Sequence, residues 1–189
     1  MPDWCRDRAT DKLFYRDRAL LVAEARVIEV VFDVVILDRT VFYPEGGGQQ
    51  GDRGWLTSHA GPLRVRDTQK RGGMLVARTD LPVVMVDTEV LHFVEGDASR
   101  LLRSGDEVEM NVDGASRAAG SRRHSAVHLL SGMFQRIGAD SDPSFALTGF
   151  HITADDAWID VEYLGASGNP QGSFVSSAKS VRPPSCLSW

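Results

Sequence analysis

The stretch EVEMNVDGASRAAGSRRHSAVHLLSGMFQRIG, residues 107–138, changes its hydrophobic period partway along, and that change divides the chain. Up to Asp113 polar and apolar residues alternate, with Val108, Met110 and Val112 on one face of an extended strand. Beyond Asp113, Val127, Leu130, Phe134 and Ile137 recur at helical spacing. A helix is therefore predicted over residues 121–137, with Gly138 placed to end it. His124 and His128 stand beside that apolar stripe, four positions apart, where one helix face brings their side chains together.

Working outward, the segments before Asp113 are rich in β-branched residues: RVIEVVFDVVIL at 26–37 and PVVMVDTEVLHFV at 82–94. Gly61-Pro62, Gly72-Gly73, Gly96-Asp97 and Gly105-Asp106 punctuate them as turns. Short strands at this spacing predict a small antiparallel β-barrel over residues 10–113 rather than alternating βαβ units. After the helix, residues 145–163 (FALTGFHITADDAWIDVEY) read as strand, turn at Asp155-Asp156, and strand, so the second part, residues 114–164, is α+β. Residues 165–189 hold seven serines, three glycines and three prolines without an apolar period, and read as an irregular tail.

Composition sets the limits. The chain has 189 residues, 42% hydrophobic and 25% charged, an ordinary composition for folded domains. A formal net charge of −5 argues against indiscriminate nucleic-acid binding, but charge is unevenly spread. Residues 114–138 carry Arg117, Arg122, Arg123 and Arg136 and no acid. Cys5 and Cys186 show no disulfide-framework spacing, and the charged N-terminus lacks a signal-peptide core. No apolar run approaches the roughly 20 residues that span a bilayer. A cytoplasmic protein with neither membrane nor DNA as partner is expected.

Two motifs carry chemistry. In HSAVH (124–128) both imidazoles can reach one ion, and zinc accepts nitrogen ligands at about 2.0–2.1 Å. The same spacing also suits a partly buried or solvent-facing histidine pair. No glutamate lies between the histidines to act as a base, which separates this helix from that of zinc proteases. In TVFYPEGGGQQGDRG (40–54) three successive glycines permit positive φ and could present amides to phosphate or carbonyl oxygens, or could simply form a hairpin tip. No Lys-Ser or Lys-Thr follows them and the G-x-G-x-x-G order is missing, so neither an ATP loop nor a dinucleotide fingerprint is present.

Taken together and in this order, TVFYPEGGGQ, GDRG and RHSAVHLL closely resemble the alanyl-tRNA editing family, which comprises the editing domain of alanyl-tRNA synthetase and free-standing AlaX-type proteins. TDKLFYRD (10–17) and GDEVEMNVD (105–113) add to the likeness, which runs over roughly residues 10–163. The resemblance implies a small β-barrel followed by the α+β second additional (editing) domain of threonyl- and alanyl-tRNA synthetases. It implies hydrolysis of the ester joining a wrongly attached serine or glycine to the terminal adenosine of alanine tRNA. It assigns His124 and His128 to zinc, and Thr40 to contact with the serine hydroxyl. Gly46, Gly47, Gly48 and Gln49 would serve the reacting centre. Arg117, Arg122 and Arg123 would meet phosphates of the acceptor end, their other reading being a solvated helix face.

The chain departs from the family at one point. Relatives complete the zinc site with a later C-x3-H segment, and this sequence has none; Cys186 and His151 are the only cysteine and histidine after His128. The expectation is an editing domain truncated after about Tyr163, with zinc bound weakly and Cys186 as a substitute third ligand. Two functions follow: a trans-editing deacylase, or a catalytically impaired relative that only binds tRNA or a protein. A second copy of the chain is a candidate to cover the helix stripe.

Overall fold

The computed structural model describes residues 9–78, 81–141, 145–152 and 157–163. It forms two compact units that divide between Arg117 and Ala118.

The first unit contains β1 (Asp11–Lys12), β2 (Val22–Val31), β3 (Val34–Leu37), β4 (Arg39–Thr40), β5 (Gly54–Ser58), β6 (Gly61–Arg71), β7 (Met74–Arg78), β8 (Leu81–Val86), β9 (Glu89–Val94) and β10 (Glu107–Val112). Six of these close a barrel in the order β10-β2-β3-β9-β6-β5, each pair antiparallel. Closure removes the unpaired edges an open sheet would expose. The strand period fills the interior: Val108, Met110 and Val112 from β10, Val90 and Val94 from β9, Leu56 from β5 and Val65 from β6 are all buried. Phe42, in the segment after β4, packs into the same cluster. Outside the barrel, β1 pairs with β4 in parallel, and β7 with β8 antiparallel.

Two β-rich runs are folded rather than straight. Residues 26–37 turn at Phe32, whose φ of 53° is left-handed, so that Val31 faces Val34 across a tight hairpin. Residues 82–94 turn at Asp87, φ 54°, between β8 and β9. Neither turn carries the glycine or asparagine that normally advertises positive φ, which is why the sequence reads through them.

The helix α1 (Gly114–Ser141) begins earlier and ends later than its apolar stripe predicts. Its start is fixed by Asp113, whose carboxylate accepts from the amides of Ala115 and Ser116 at 3.1 Å each, capping donors that a helix end leaves unpaired. Gly138 lies inside the helix instead of ending it; an interior glycine costs only about 1 kcal/mol. In the second unit β11 (Phe145–Ile152) and β12 (Ala157–Tyr163) form an antiparallel hairpin with an irregularity between Leu147 and Gly149. A small antiparallel barrel followed by a helix and a further sheet is thus the architecture. The turn expected at Asp155-Asp156 and the tail at 165–189, with Cys186, lie outside the described residues. No helix among those described is long and apolar enough to cross a membrane.

Candidate functional site: a glycine tip on the barrel and a histidine pair on the helix

The loop joining β4 to β5 holds the first motif. Gly46 and Gln49 exchange both backbone hydrogen bonds, at 3.1 and 3.2 Å, across Gly47 and Gly48. Those two glycines have φ of 60° and 76°, as a tight hairpin turn with two left-handed residues requires. The glycine run is therefore a hairpin tip whose Gly46 amide is committed to Gln49, while Gly47 and Gly48 are exposed. The base of the loop is anchored. Glu45 donates its amide to the Thr68 carbonyl at 2.8 Å, and the Thr68 hydroxyl donates to the Tyr43 carbonyl at 2.9 Å. Gly51 is required by close approach, because a Cβ there would stand 2.2 Å from the Thr68 carbonyl oxygen.

Arg117 supplies the strongest anchor, and the expectation that it meets tRNA phosphates is corrected. Its guanidinium is buried, donating to Asp52 through Nε at 2.7 Å and again through Nη2, and to the Val41 carbonyl at 2.5 Å. Asp52 in turn accepts from the Tyr43 amide at 2.5 Å. The arginine's planar fork thus ties the first turn of α1 to both ends of the glycine loop.

Thr40 is likewise turned inward, with 0% exposure. Its Oγ1 accepts from the Phe42 amide at 3.0 Å and lies 2.8 Å from His92 Nε2. His92 Nδ1 lies 3.0 Å from the Val35 carbonyl, which can only accept, so Nδ1 carries the proton and Nε2 receives the Thr40 hydroxyl's. Burial lowers the His92 pKa to about 4, with the Val35 carbonyl opposing the shift, so the ring is neutral. Direct contact of Thr40 with a substrate hydroxyl does not fit this conformation; its hydroxyl is occupied in fixing the start of the loop. His92 was missed by the sequence reading, although strand alternation in EVLHFV places it in phase with buried Val90 and Val94.

On α1 the histidine rings stack, with centroids 4.8 Å apart and Nε2 atoms 2.9 Å apart. At that distance one ring donates and the other accepts. Burial, and secondarily the neighbouring His128, lower the His124 pKa from its ordinary value. The two nitrogens face each other at hydrogen-bond distance, and among the described residues no third histidine, cysteine or carboxylate joins them. His151 instead stacks on Trp158 at 5.1 Å and lies 3.5 Å from Asp160. The pair accounts for two of the four positions of a tetrahedral site, too few for a defined zinc centre on these residues alone. Arg122 is exposed and Arg123 half-buried on the same helix, while Leu129, Leu130, Met133 and Phe134 are exposed and Val127 is buried. The Ile137 side chain lies outside those described.

Comparison with known proteins places this geometry in context. The family model for class II (A) tRNA synthetases matches residues 12–113, the barrel with its glycine loop. The alanine tRNA ligase of Methanopyrus kandleri is 36% identical over 158 residues, 82% of this chain and 15% of that protein. That of Archaeoglobus fulgidus is 38% identical over 129 residues, 68% of this chain and 12% of the ligase. The alanyl-tRNA editing protein AlaX-L of Pyrococcus horikoshii is 30% identical over 157 residues, covering 80% of this chain and 33% of that protein. The chain thus spans about a seventh of the ligases it matches and a third of the editing protein.

Proposed function

Because this chain belongs to the class II (A) tRNA synthetase family, among its alanyl-tRNA editing members, we propose that it is an aminoacyl-tRNA deacylase that clears serine or glycine from alanine tRNA as a separate protein. The observation that carries this reading is the pair of imidazoles on α1 whose Nε2 atoms lie 2.9 Å apart.

The reaction is hydrolysis of an activated ester. A water oxygen adds to the acyl carbon, the bond to the ribose oxygen breaks, and the proton released by water ends on that leaving oxygen. The protein must orient the acyl group and stabilise the oxyanion that develops. The exposed amides of Gly47 and Gly48 suit the second task, since the Arg117–Asp52 pair and Thr68 hold their loop in place before substrate arrives. The imidazoles of His124 and His128 suit orientation of water. Zinc held by them would act as a Lewis acid, with half of a tetrahedral ligand set present among the described residues. Arg122 and Arg123 would meet acceptor-end phosphates.

Discrimination follows from chemistry. A synthetic site that accepts alanine rejects a substrate bearing one extra hydroxyl only weakly, so a second hydrolytic site is needed. The Thr40–His92 pair would act in that selection by setting the backbone at Phe42 rather than by touching the amino acid. A binding-only role is the second reading, motivated by the lack of a C-x3-H segment in the sequence. The experiment is multiple-turnover hydrolysis of seryl, glycyl and alanyl esters of alanine tRNA by the whole chain. The deacylase reading expects seryl or glycyl ester to be cleared well ahead of alanyl ester; binding of tRNA with no acceleration above the spontaneous rate would support the second reading.

A further inference from the structure

A cavity of about 640 Å³ opens in the barrel unit, lined by Lys12, Tyr15, Arg16, Lys70, Asp87 and Thr88 among others. It is made where β1, the turn after it, the end of β6 and the β8–β9 corner meet. Three of its features are unusual together. Two ammonium groups face it, and neither forms an ion pair among the described residues: Lys12 is half-buried and bonded only to the carbonyls of Thr10 and Thr88, at 3.2 and 2.9 Å. Burial lowers the Lys12 pKa first of all; Lys70 adds to the effect and Asp87 and Asp11 oppose it. Thr88, which lines the cavity, keeps its hydroxyl buried without a hydrogen-bond partner among the described residues. Tyr15 stands at the rim 72% exposed, its ring tilted against that of Phe14 with centroids 4.7 Å apart.

Two neighbouring ammonium groups and an exposed aromatic ring match one class of ligand. Single-stranded RNA is held by bases stacked on aromatic faces and by phosphates on lysine and arginine. Lys70 also joins this cavity to the glycine tip, its Nζ lying 2.6 Å from where a Cβ on Gly46 would stand. We infer that the cavity is a nucleotide subsite for the single-stranded end of an RNA, with a phosphate between Lys12 and Lys70 and a base on Tyr15. This rests on the editing reading for the identity of the RNA, and it assigns the barrel a binding role of its own.

The test measures fluorescence anisotropy of a labelled, unacylated single-stranded RNA ending in CCA against the full chain over a series of salt concentrations. Lys70→Ala should lower the slope of log affinity against log salt by about 0.7, the value for one phosphate contact on a single strand. Tyr15→Ala should weaken binding about 5- to 150-fold, whereas Tyr15→Phe should retain it. Arg100→Ala, an exposed cation outside the cavity lining, should leave both quantities unchanged. Unaltered binding in the Lys70 and Tyr15 variants, an equal effect of Arg100→Ala, or no binding by the unmodified chain would overturn the inference. Deacylation is assayed in parallel: turnover that survives loss of this binding would sink the subsite alone, and cavity binding without turnover would sink only the enzymatic reading.

Discussion

Acidification should destabilise the barrel through one residue, His92. In the folded chain its pKa is about 4, whereas an unfolded histidine titrates near 6.5. Between those values the unfolded state binds a proton that the folded state refuses, so stability is complete above about pH 6.5 and falls as pH drops toward 4. A gap of about 2.5 pKa units at roughly 1.4 kcal/mol each gives a loss of about 3 kcal/mol across the window. Urea unfolding followed by tryptophan fluorescence at several pH values between 4 and 7 measures it. Carboxylates also titrate near the lower end, so the comparison is with His92→Gln, a neutral side chain able to donate to Val35 and accept from Thr40. The variant should lose most of the pH dependence whatever its absolute stability. An unchanged slope in His92→Gln, or an imidazole resonance in the unmodified chain that titrates near 6.5, would refute the reasoning.

Three further outcomes follow. Arg117→Ala leaves Asp52 buried without its cation and should cost about 3–5 kcal/mol in the same unfolding assay; a loss below 1 kcal/mol would show that the pair does not anchor the loop. Thr40→Val strands the Phe42 amide and His92 Nε2 and should cost about 1–3 kcal/mol, and it should slow clearance of seryl and glycyl esters alike; a selective effect on seryl ester would restore direct contact with the serine hydroxyl. Elemental analysis after dialysis should find clearly less than one zinc per chain, and stoichiometric, chelator-resistant zinc would require ligands beyond His124 and His128.

What the sequence made legible was what has a short period or an unusual spacing. EVEMNV read as a strand because alternation is preserved wherever one face is buried, and the structure ends β10 at the same residues. The glycine run read as either a cradle or a hairpin tip, and only the reciprocal Gly46–Gln49 bonding distinguishes them. Phe32 was opaque because its left-handed φ goes with pairing of the flanking strands β2 and β3, with no glycine or asparagine to announce it, and Asp87 stood as a single aspartate within a β-rich run. Arg117 looked like its neighbours Arg122 and Arg123; its different fate depends on Asp52, 65 residues earlier in the chain, a contact no local pattern encodes. The cavity at Lys12 and Lys70 was hidden for the same reason, since it is assembled from segments far apart in sequence.

The central claim is that the histidine pair on α1 serves ester hydrolysis, and single-turnover deacylation tests it most directly. Seryl-alanine tRNA is mixed with excess chain, either unmodified or carrying His124→Ala and His128→Ala together, and the ester remaining is followed in time. The account predicts hydrolysis by the unmodified chain at least about 100-fold faster than by the double variant, a loss in the range expected when groups acting on water or the reacting centre are removed. Equal rates in the two, with both chains folded, would contradict it.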